Sequence, residues 1–140
     1  ELLALYHASV FEALGDDALK YNARIGAILA NSWVKTLSEL PAGEDGFKKA
    51  IEGFFKGAFK FADTAELTFT PDGTASLYVK GCGVCSGNEI LRGKGKKGFC
   101  PISQMLKSAM GKSLKGNVEL TGSDKPGPVG ECFLRYNVHK

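Results

Sequence analysis

The stretch AELTFTPDGTASLYVKG, residues 65–81, decides the fold class, because the period of the apolar residues changes there. Ala65, Leu67 and Phe69 alternate with polar residues, Pro-Asp-Gly at 71–73 favours a turn, and a second alternation follows. The pattern predicts an antiparallel β-hairpin. Since the residues before it repeat with a helical period, we expect separate helical and antiparallel parts, as in α+β folds.

Three helices are predicted in the first 60 residues, with breaks at Gly15 and Pro41. Their apolar residues recur at three- and four-residue spacing. The stripe of the first helix contains Leu2, Leu5, Tyr6, Ser9, Val10 and Ala13. The stripe of the second contains Leu19, Ala23, Gly26, Ala27, Ala30, Trp33, Val34 and Leu37, and its small residues would let another helix approach closely. The stripe of the third contains Phe47, Ile51, Phe54, Phe55 and Phe59.

A loop, a helix and two strands are expected after the hairpin. Residues 81–99 are rich in glycine and lysine and predict the loop. Pro101 predicts the start of a helix at Cys100–Pro101, and NVELT (117–121) and ECFLRYNV (131–138) predict strands. The predicted fold is a single α+β domain over residues 1–140. Its N-terminal helices pack on a small antiparallel four-stranded sheet, with a further helix between the two strand pairs.

Composition narrows the class of protein. Of the 140 residues, 44% are hydrophobic and 24% charged, which predicts an ordinary globular domain, and a net charge of +3 does not argue for direct nucleic-acid binding. No apolar run approaches the roughly 20 residues of a membrane span. The N-terminus lacks the basic start of a signal peptide, which favours a cytoplasmic location. The absence of an initiator methionine predicts a trimmed chain or a piece of a longer protein.

Four cysteines carry the most specific chemistry. Cys82 and Cys85 form a C-x-x-C pair, and Cys100 and Cys132 lie at the predicted starts of a helix and a strand. In a reducing compartment such cysteines favour a metal or redox role over disulfides. Four thiolates predict a structural zinc site with no open coordination position. An iron–sulfur cluster, a thiol-redox pair and buried, unlinked thiols remain alternatives.

The basic segment RGKGKKG, residues 92–98, allows three interpretations. Its four cations could balance the double negative charge of a zinc ion bound to four thiolates, they could form an exposed solvated loop, or they could bind phosphate or nucleic acid. The cations are Arg92, Lys94, Lys96 and Lys97.

Aromatic and aliphatic side chains of the helices and sheet are candidates for an apolar ligand pocket. The same residues could instead fill the core, since aromatic residues at helical spacing usually do. The candidates are Trp33, Phe47, Ile51, Phe54, Phe55, Phe59, Leu77, Leu134 and Tyr136.

No catalytic residues are assigned. His7 and His139, the two histidines, have no nucleophile beside them in the sequence, and we expect both at the surface or at an interface. GKGKKG is not a dinucleotide fingerprint, because that motif opens a helix after a strand. The sequence therefore favours a binding domain over an enzyme.

The segment from Cys100 onward resembles the 4-vinyl reductase family, also called hydrocarbon-binding domains. The resemblance rests on the CP helix start, the amphipathic helix that follows, and the strands GNVEL and GECFLRY. It implies a fold related to TRAPP vesicle-tethering subunits and haem nitric-oxide sensor domains, an apolar cavity, and a dimer through the N-terminal helices.

The same resemblance implies zinc ligands at Cys100 and Cys132. Family members that sense aromatic effectors take a further Glu and Cys from the segment before the last strand. This chain has Glu119 and Glu131 there but no cysteine, so we expect Cys82 and Cys85 to replace them.

The expected function is binding or sensing of a small hydrophobic or aromatic molecule by a domain with a structural four-cysteine zinc site. The alternative is an iron–sulfur or thiol-redox accessory protein of an enzyme pathway. Neither involves a membrane span or direct contact with nucleic acid.

Overall fold

A computed structural model describes residues 2–57, 62–124 and 131–139. The helices are α1 (Leu2–Leu14), α2 (Asp17–Lys35), α3 (Gly43–Lys56), α4 (Gly83–Gly93) and α5 (Pro101–Leu114). The strands are β1 (Thr64–Phe69), β2 (Thr74–Lys80), β3 (Asn117–Asp124) and β4 (Cys132–His139). They form one sheet in the order β1-β2-β4-β3, and every neighbouring pair is antiparallel. The predicted α+β fold class is confirmed. None of the described helices has the length and apolar character that a membrane span requires.

The hairpin forms as its alternation predicts. Gly73, in the turn, has a φ of +88°, a backbone conformation that residues other than glycine rarely adopt. Ala65 and Leu67 of β1 and Leu77 of β2 point into the core without exposure, and α3 and α5 cover this face. β4 then pairs with β2 and places Leu134 and Tyr136 in the same layer.

The edge strand β1 is held by two side chains of α3. Glu52 accepts a hydrogen bond from the backbone N–H of Leu67 at 2.9 Å, and Lys48 donates to the carbonyl of Leu67 at 2.8 Å. Lys48 and Glu52 also form an ion pair. These contacts satisfy backbone groups that an edge strand would otherwise offer to another chain.

Small residues of α2 allow α5 to approach closely, as their spacing predicts. A Cβ atom added at Gly26 would collide with the backbone and side chain of Gln104 on α5. Ala30 and Trp33 continue the buried face of α2 into the main core. This packing fixes α5, whose first residues adjoin the cysteines.

Two expectations for α1 are wrong, and Leu19 of the predicted α2 stripe is exposed as well. The buried side chains of α1 are Ala4, His7, Ala8 and Phe11, so the predicted stripe with Leu2, Leu5 and Tyr6 faces outward. His7 is only 5% exposed and is buried within the chain, contrary to the predicted position at the surface or at an interface. The reason is the partner of α1: it packs mainly on α4, and the small residues Ala4 and Ala8 permit that close contact.

The predicted glycine-rich loop at 81–99 contains a helix instead, α4. Its glycines serve close packing: a Cβ atom at Gly87 would lie 2.7 Å from the carbonyl oxygen of Ala4. Leu91 packs with Phe11 of α1 and with Phe99 in a second, smaller cluster. Glycine therefore marks a helix–helix contact here. The predicted loop is wrong because the small size of glycine matters at these positions, and its backbone freedom does not.

Candidate metal centre and apolar cavity

The four cysteines lie at the ends of three elements. Cys82 is the N-cap residue of α4, and Cys85 lies in the first turn of that helix. Cys100 is the N-cap of α5, where its Sγ accepts a hydrogen bond from the backbone N–H of Ser103 at 3.4 Å. Cys132 is the first residue of β4. The fold thus brings together residues that are up to 50 positions apart in the sequence.

The thiol groups are neighbours in space. Cys85 donates a hydrogen bond to Cys132 over an Sγ–Sγ distance of 3.7 Å, and Cys82 is hydrogen-bonded to Cys85. Cys100 interacts electrostatically with both Cys82 and Cys85. All four are free thiols. Two sulfurs that each lie about 2.3 Å from a tetrahedral zinc ion are about 3.8 Å apart, close to the Cys85–Cys132 separation.

Burial and contact with neighbouring thiols raise the pKa values of Cys82, Cys85 and Cys100. The hydrogen bond with Cys85, together with burial, raises the pKa of Cys82 far above its ordinary range. The hydrogen bond to Cys132, together with burial, raises the pKa of Cys85 to about 12. Burial also raises the pKa of Cys100. A bound cation would lower the pKa values of these thiols, because a thiol that coordinates a metal loses its proton.

The donor set suits zinc, but the arrangement is not a finished coordination sphere. Among residues 2–57, 62–124 and 131–139, no three or more His, Cys, Asp or Glu side chains converge into a ready-made metal site. The Sγ–Sγ distance between Cys85 and Cys132 is close to that of two ligands of one zinc ion. Zinc therefore stays a prediction, made for four clustered thiols of which Cys82 and Cys132 are buried and Cys85 and Cys100 partly buried.

Other charged residues singled out in the sequence interact with groups that are not the cysteines. Glu119 is exposed on the outer face of the sheet, 3.6 Å from His139, which is itself exposed as predicted. Glu131 is hydrogen-bonded to the hydroxyl group of Tyr78. Lys94 and Lys96 both pair with Glu12 of α1, so these two cations have a carboxylate as partner at the C-terminal end of α4.

The predicted pocket residues lie in the main core. Phe47, Ile51, Phe55, Leu77 and Tyr136 have no exposed surface. Trp33 and Leu134 are also buried, and Phe54 packs against them from a partly buried position. Phe59 lies outside the described residues. The geometry of this set is that of packed core, which was the alternative interpretation.

An apolar cavity lies elsewhere, between the helices. Its volume is about 640 Å³, and α1, α2, the start of α4, and the segment that begins α5 surround it. Its lining is Leu3, Tyr6, His7, Val10, Ile25, Leu29, Val84, Phe99, Pro101 and Ile102. Leu3, Tyr6 and Leu29 are also exposed, so these residues form its open rim.

A polar network supports one wall of the cavity. Asn88 of α4 accepts the backbone N–H of Phe99 at 3.1 Å and donates to its carbonyl oxygen at 3.0 Å. The same amide oxygen contacts Nε2 of His7 at 2.7 Å, and the His7 ring stacks on Phe99 with centroids 4.4 Å apart. Burial lowers the pKa of His7. Neutral imidazole therefore donates to Asn88 and fixes α1, α4 and the Phe99 segment together.

Sequence reasoning missed Asn88 and the cavity lining because both depend on α4. Once residues 83–93 are helical, Gly83, Gly87 and Leu91 fall at four-residue spacing with Asn88 next to Gly87, and this pattern would have marked the face that contacts α1. No protein-family model matches this chain, and no curated protein matches it, so the resemblance to the 4-vinyl reductase family stays a prediction.

Proposed function

We propose that this chain binds a small hydrophobic or aromatic molecule in the interhelical cavity and carries a structural zinc ion on Cys82, Cys85, Cys100 and Cys132. One observation supports both parts: the cavity wall contains Val84, Phe99, Pro101 and Ile102, the sequence neighbours of the cysteines. Four thiolate ligands leave no position for substrate, so the metal has a structural role and the proposed activity is binding.

The cavity is suited in size and chemistry to a small apolar ligand. Its volume of about 640 Å³ falls within the roughly 300–1,000 Å³ of small-molecule sites. Aliphatic and aromatic side chains line it, and His7 is the one ionisable group among the lining residues that is buried. Desolvation of an apolar ligand against this lining would supply the affinity.

A zinc ion bound to the four cysteines would link α4, α5 and β4. Because the binding of metal to cysteines that are distant in the sequence stabilises only the folded chain, its free energy adds to folding stability. The unpaired cysteines also support a reducing, cytoplasmic location, where thiols persist.

We further propose a homodimer through α1 and α2. The large apolar side chains that are exposed in the described part of the chain all lie between Leu2 and Leu40. Leu2 is 81% exposed and Tyr6 67%, and Leu3, Tyr6 and Leu29 join this surface to the cavity rim. A second copy would shield apolar area that is otherwise in water.

Elemental analysis with native mass spectrometry tests the proposal on the full chain. We expect one zinc per chain, a dimeric mass, and a colourless protein, whereas an iron–sulfur protein would be brown. Cys85→Ser should lose the zinc, and Ser76→Ala on the outer face of the sheet should keep it. A full equivalent of zinc in Cys85→Ser, or no zinc in the wild-type chain, would exclude this ligand set.

Ligand binding is tested separately with the uncharged fluorescent probe N-phenyl-1-naphthylamine. Leu29→Trp should fill the cavity from α2 and abolish the fluorescence increase. Lys49→Trp is the control, since Lys49 is exposed on α3, outside the cavity lining and outside the proposed dimer surface. Equal probe binding by both variants would contradict the assignment of the cavity.

A further inference from the structure

The cavity lies where two packed groups of side chains meet. The main core joins the sheet to α2, α3 and α5. The smaller cluster contains Ala8, Phe11, Ala18, Leu91 and Phe99. Cavity residues come from both sides: His7 and Val10 belong to α1, whereas Pro101 and Ile102 open α5. The volume of the cavity therefore depends on how the α1–α4 pair sits against the rest of the domain.

The N-terminal end of α4 connects these two groups. Cys82 and Val84 are buried in the main core, whereas Leu91 belongs to the smaller cluster. Along its length, α4 packs chiefly on α1, and α1 in turn makes only a small contact with α2. The cysteine segment is thus one of the connections between the α1–α4 pair and the body of the domain, beside Ala18 of α2 in the smaller cluster and the hydrogen bonds between Asn88 and Phe99.

The cysteines flank the two wall segments of the cavity. Val84 lies between Cys82 and Cys85, and Phe99, Pro101 and Ile102 surround Cys100. Ligation of these cysteines to one ion would fix Val84 relative to the start of α5. At the same place, Leu3 of α1 contacts α4 so closely that a Cβ atom at Gly83 would lie 2.7 Å from Leu3 Cδ2. A displacement of the first turn of α4 would therefore move Leu3 as well.

We propose that metal occupancy of the four-cysteine site controls the affinity of the cavity for its apolar ligand. The metal would hold the two wall segments, Val84 in the first turn of α4 and residues 99–102 around Cys100, in fixed relative positions. This inference rests on the proposed function and adds regulation to it. In the zinc-loaded chain the cavity has its binding shape. Loss of zinc lets the first turn of α4 and the residues around Cys100 move relative to each other. By thermodynamic linkage, the ligand must strengthen zinc binding by the same factor by which zinc strengthens ligand binding.

The first test compares N-phenyl-1-naphthylamine binding by zinc-loaded chain and by chain that a chelator and a reductant have stripped of zinc. Couplings between sites are typically about 5- to 150-fold, so we expect the Kd of the probe to rise at least about fivefold on stripping. Lys49→Trp should show the same rise as the wild-type chain, while Leu29→Trp should bind no probe in either state.

The second test starts from folded, zinc-loaded protein and remains valid if stripping unfolds the chain. Zinc transfer to excess colorimetric chelator is timed with and without saturating probe. We expect saturating probe to slow the transfer, because a probe that strengthens zinc binding makes the zinc-loaded, probe-bound chain more stable. In Leu29→Trp, which retains the cysteines but blocks the cavity, the probe should not change the transfer rate.

The outcomes separate this inference from the proposed function. If zinc and probe both bind but neither alters the binding or release of the other, the coupling is overturned and the proposed function stands. If the chain binds no zinc, or binds probe equally well in Leu29→Trp, the proposed function fails and the coupling fails with it.

Discussion

The main core and the α1–α4 pair are stabilised in different ways. The main core combines all four strands with α2, α3 and α5 around large side chains such as Phe47, Phe55 and Tyr136, none of which has exposed surface. The α1–α4 pair has a small cluster, close backbone contacts at glycine and alanine, and a buried polar network at His7 and Asn88. Apolar burial accounts for the first region, whereas the second depends on exact fit and on the cysteines beside it.

The largest expected difference between the regions comes from truncation of a core phenylalanine. Phe55→Ala should lower the free energy of unfolding by roughly 3–5 kcal/mol, since it removes a fully buried ring from the main core. Phe11→Ala in the smaller cluster should chiefly weaken the packing of α1 on α4. Urea denaturation measures the first effect and hydrogen exchange of α1 the second. An equal loss in the free energy of global unfolding in both variants would show that the two regions unfold as one cooperative unit.

A single methyl group should break the fit between α1 and α4. In Gly87→Ala the new Cβ would lie 2.7 Å from the Ala4 carbonyl oxygen and 2.9 Å from His7 Cβ, so the helices must separate. We expect a loss of about 1–3 kcal/mol, the usual cost of overpacking, in thermal unfolding.

Gly53→Ala on α3 is the matched control, because its Cβ would meet nothing within 4 Å. It should stabilise the protein by about 0.5–1 kcal/mol through helix propensity. A Gly87→Ala variant as stable as Gly53→Ala would contradict the close α1–α4 contact.

Removal of the Glu52 carboxylate should weaken the main region at its edge strand. Glu52→Ala removes the acceptor of the Leu67 N–H and leaves Lys48 with only the Leu67 carbonyl as partner, so we expect a loss of about 1–2 kcal/mol in urea denaturation. Glu52→Gln retains an acceptor for Leu67 and should lose less. Equal losses in the two variants would show that the backbone contact contributes nothing.

The smallest predicted effect is a pH dependence that belongs to the α1–α4 pair. Burial lowers the pKa of His7 in the folded chain, so the unfolded chain takes up this proton first as the pH falls. Stability from His7 is therefore complete above its unfolded pKa of about 6.5 and declines at lower pH. The stability difference between pH 7.5 and 5.5 should shrink in His7→Gln and persist in His139→Gln, a variant of the exposed histidine. An unchanged difference in His7→Gln would assign the dependence to another group.

The sequence predicts the main region better than the α1–α4 pair. Alternation at Ala65, Leu67 and Leu77, and helical spacing at Phe47, Ile51 and Phe55, each correspond to burial on one side. Periodicity is informative there because large apolar side chains fill the core.

The α1–α4 pair could not be predicted in the same way. Its contact uses Ala4, Ala8 and Gly87, which carry little hydrophobic signal, while Leu5 and Tyr6 on the same helix face outward. The cysteines were identified from their spacing as one group, and the fold does bring their thiols together. Their neighbours Val84 and Ile102 become part of a cavity only because α4 is a helix, which no pattern in residues 81–99 indicated.

X-ray absorption at the zinc K-edge on the purified full chain tests the central claim most directly. We expect one zinc per chain with four sulfur neighbours at about 2.3 Å. Bound zinc whose neighbours are nitrogen or oxygen, or a chain that takes up no zinc when its thiols are reduced, would contradict the account.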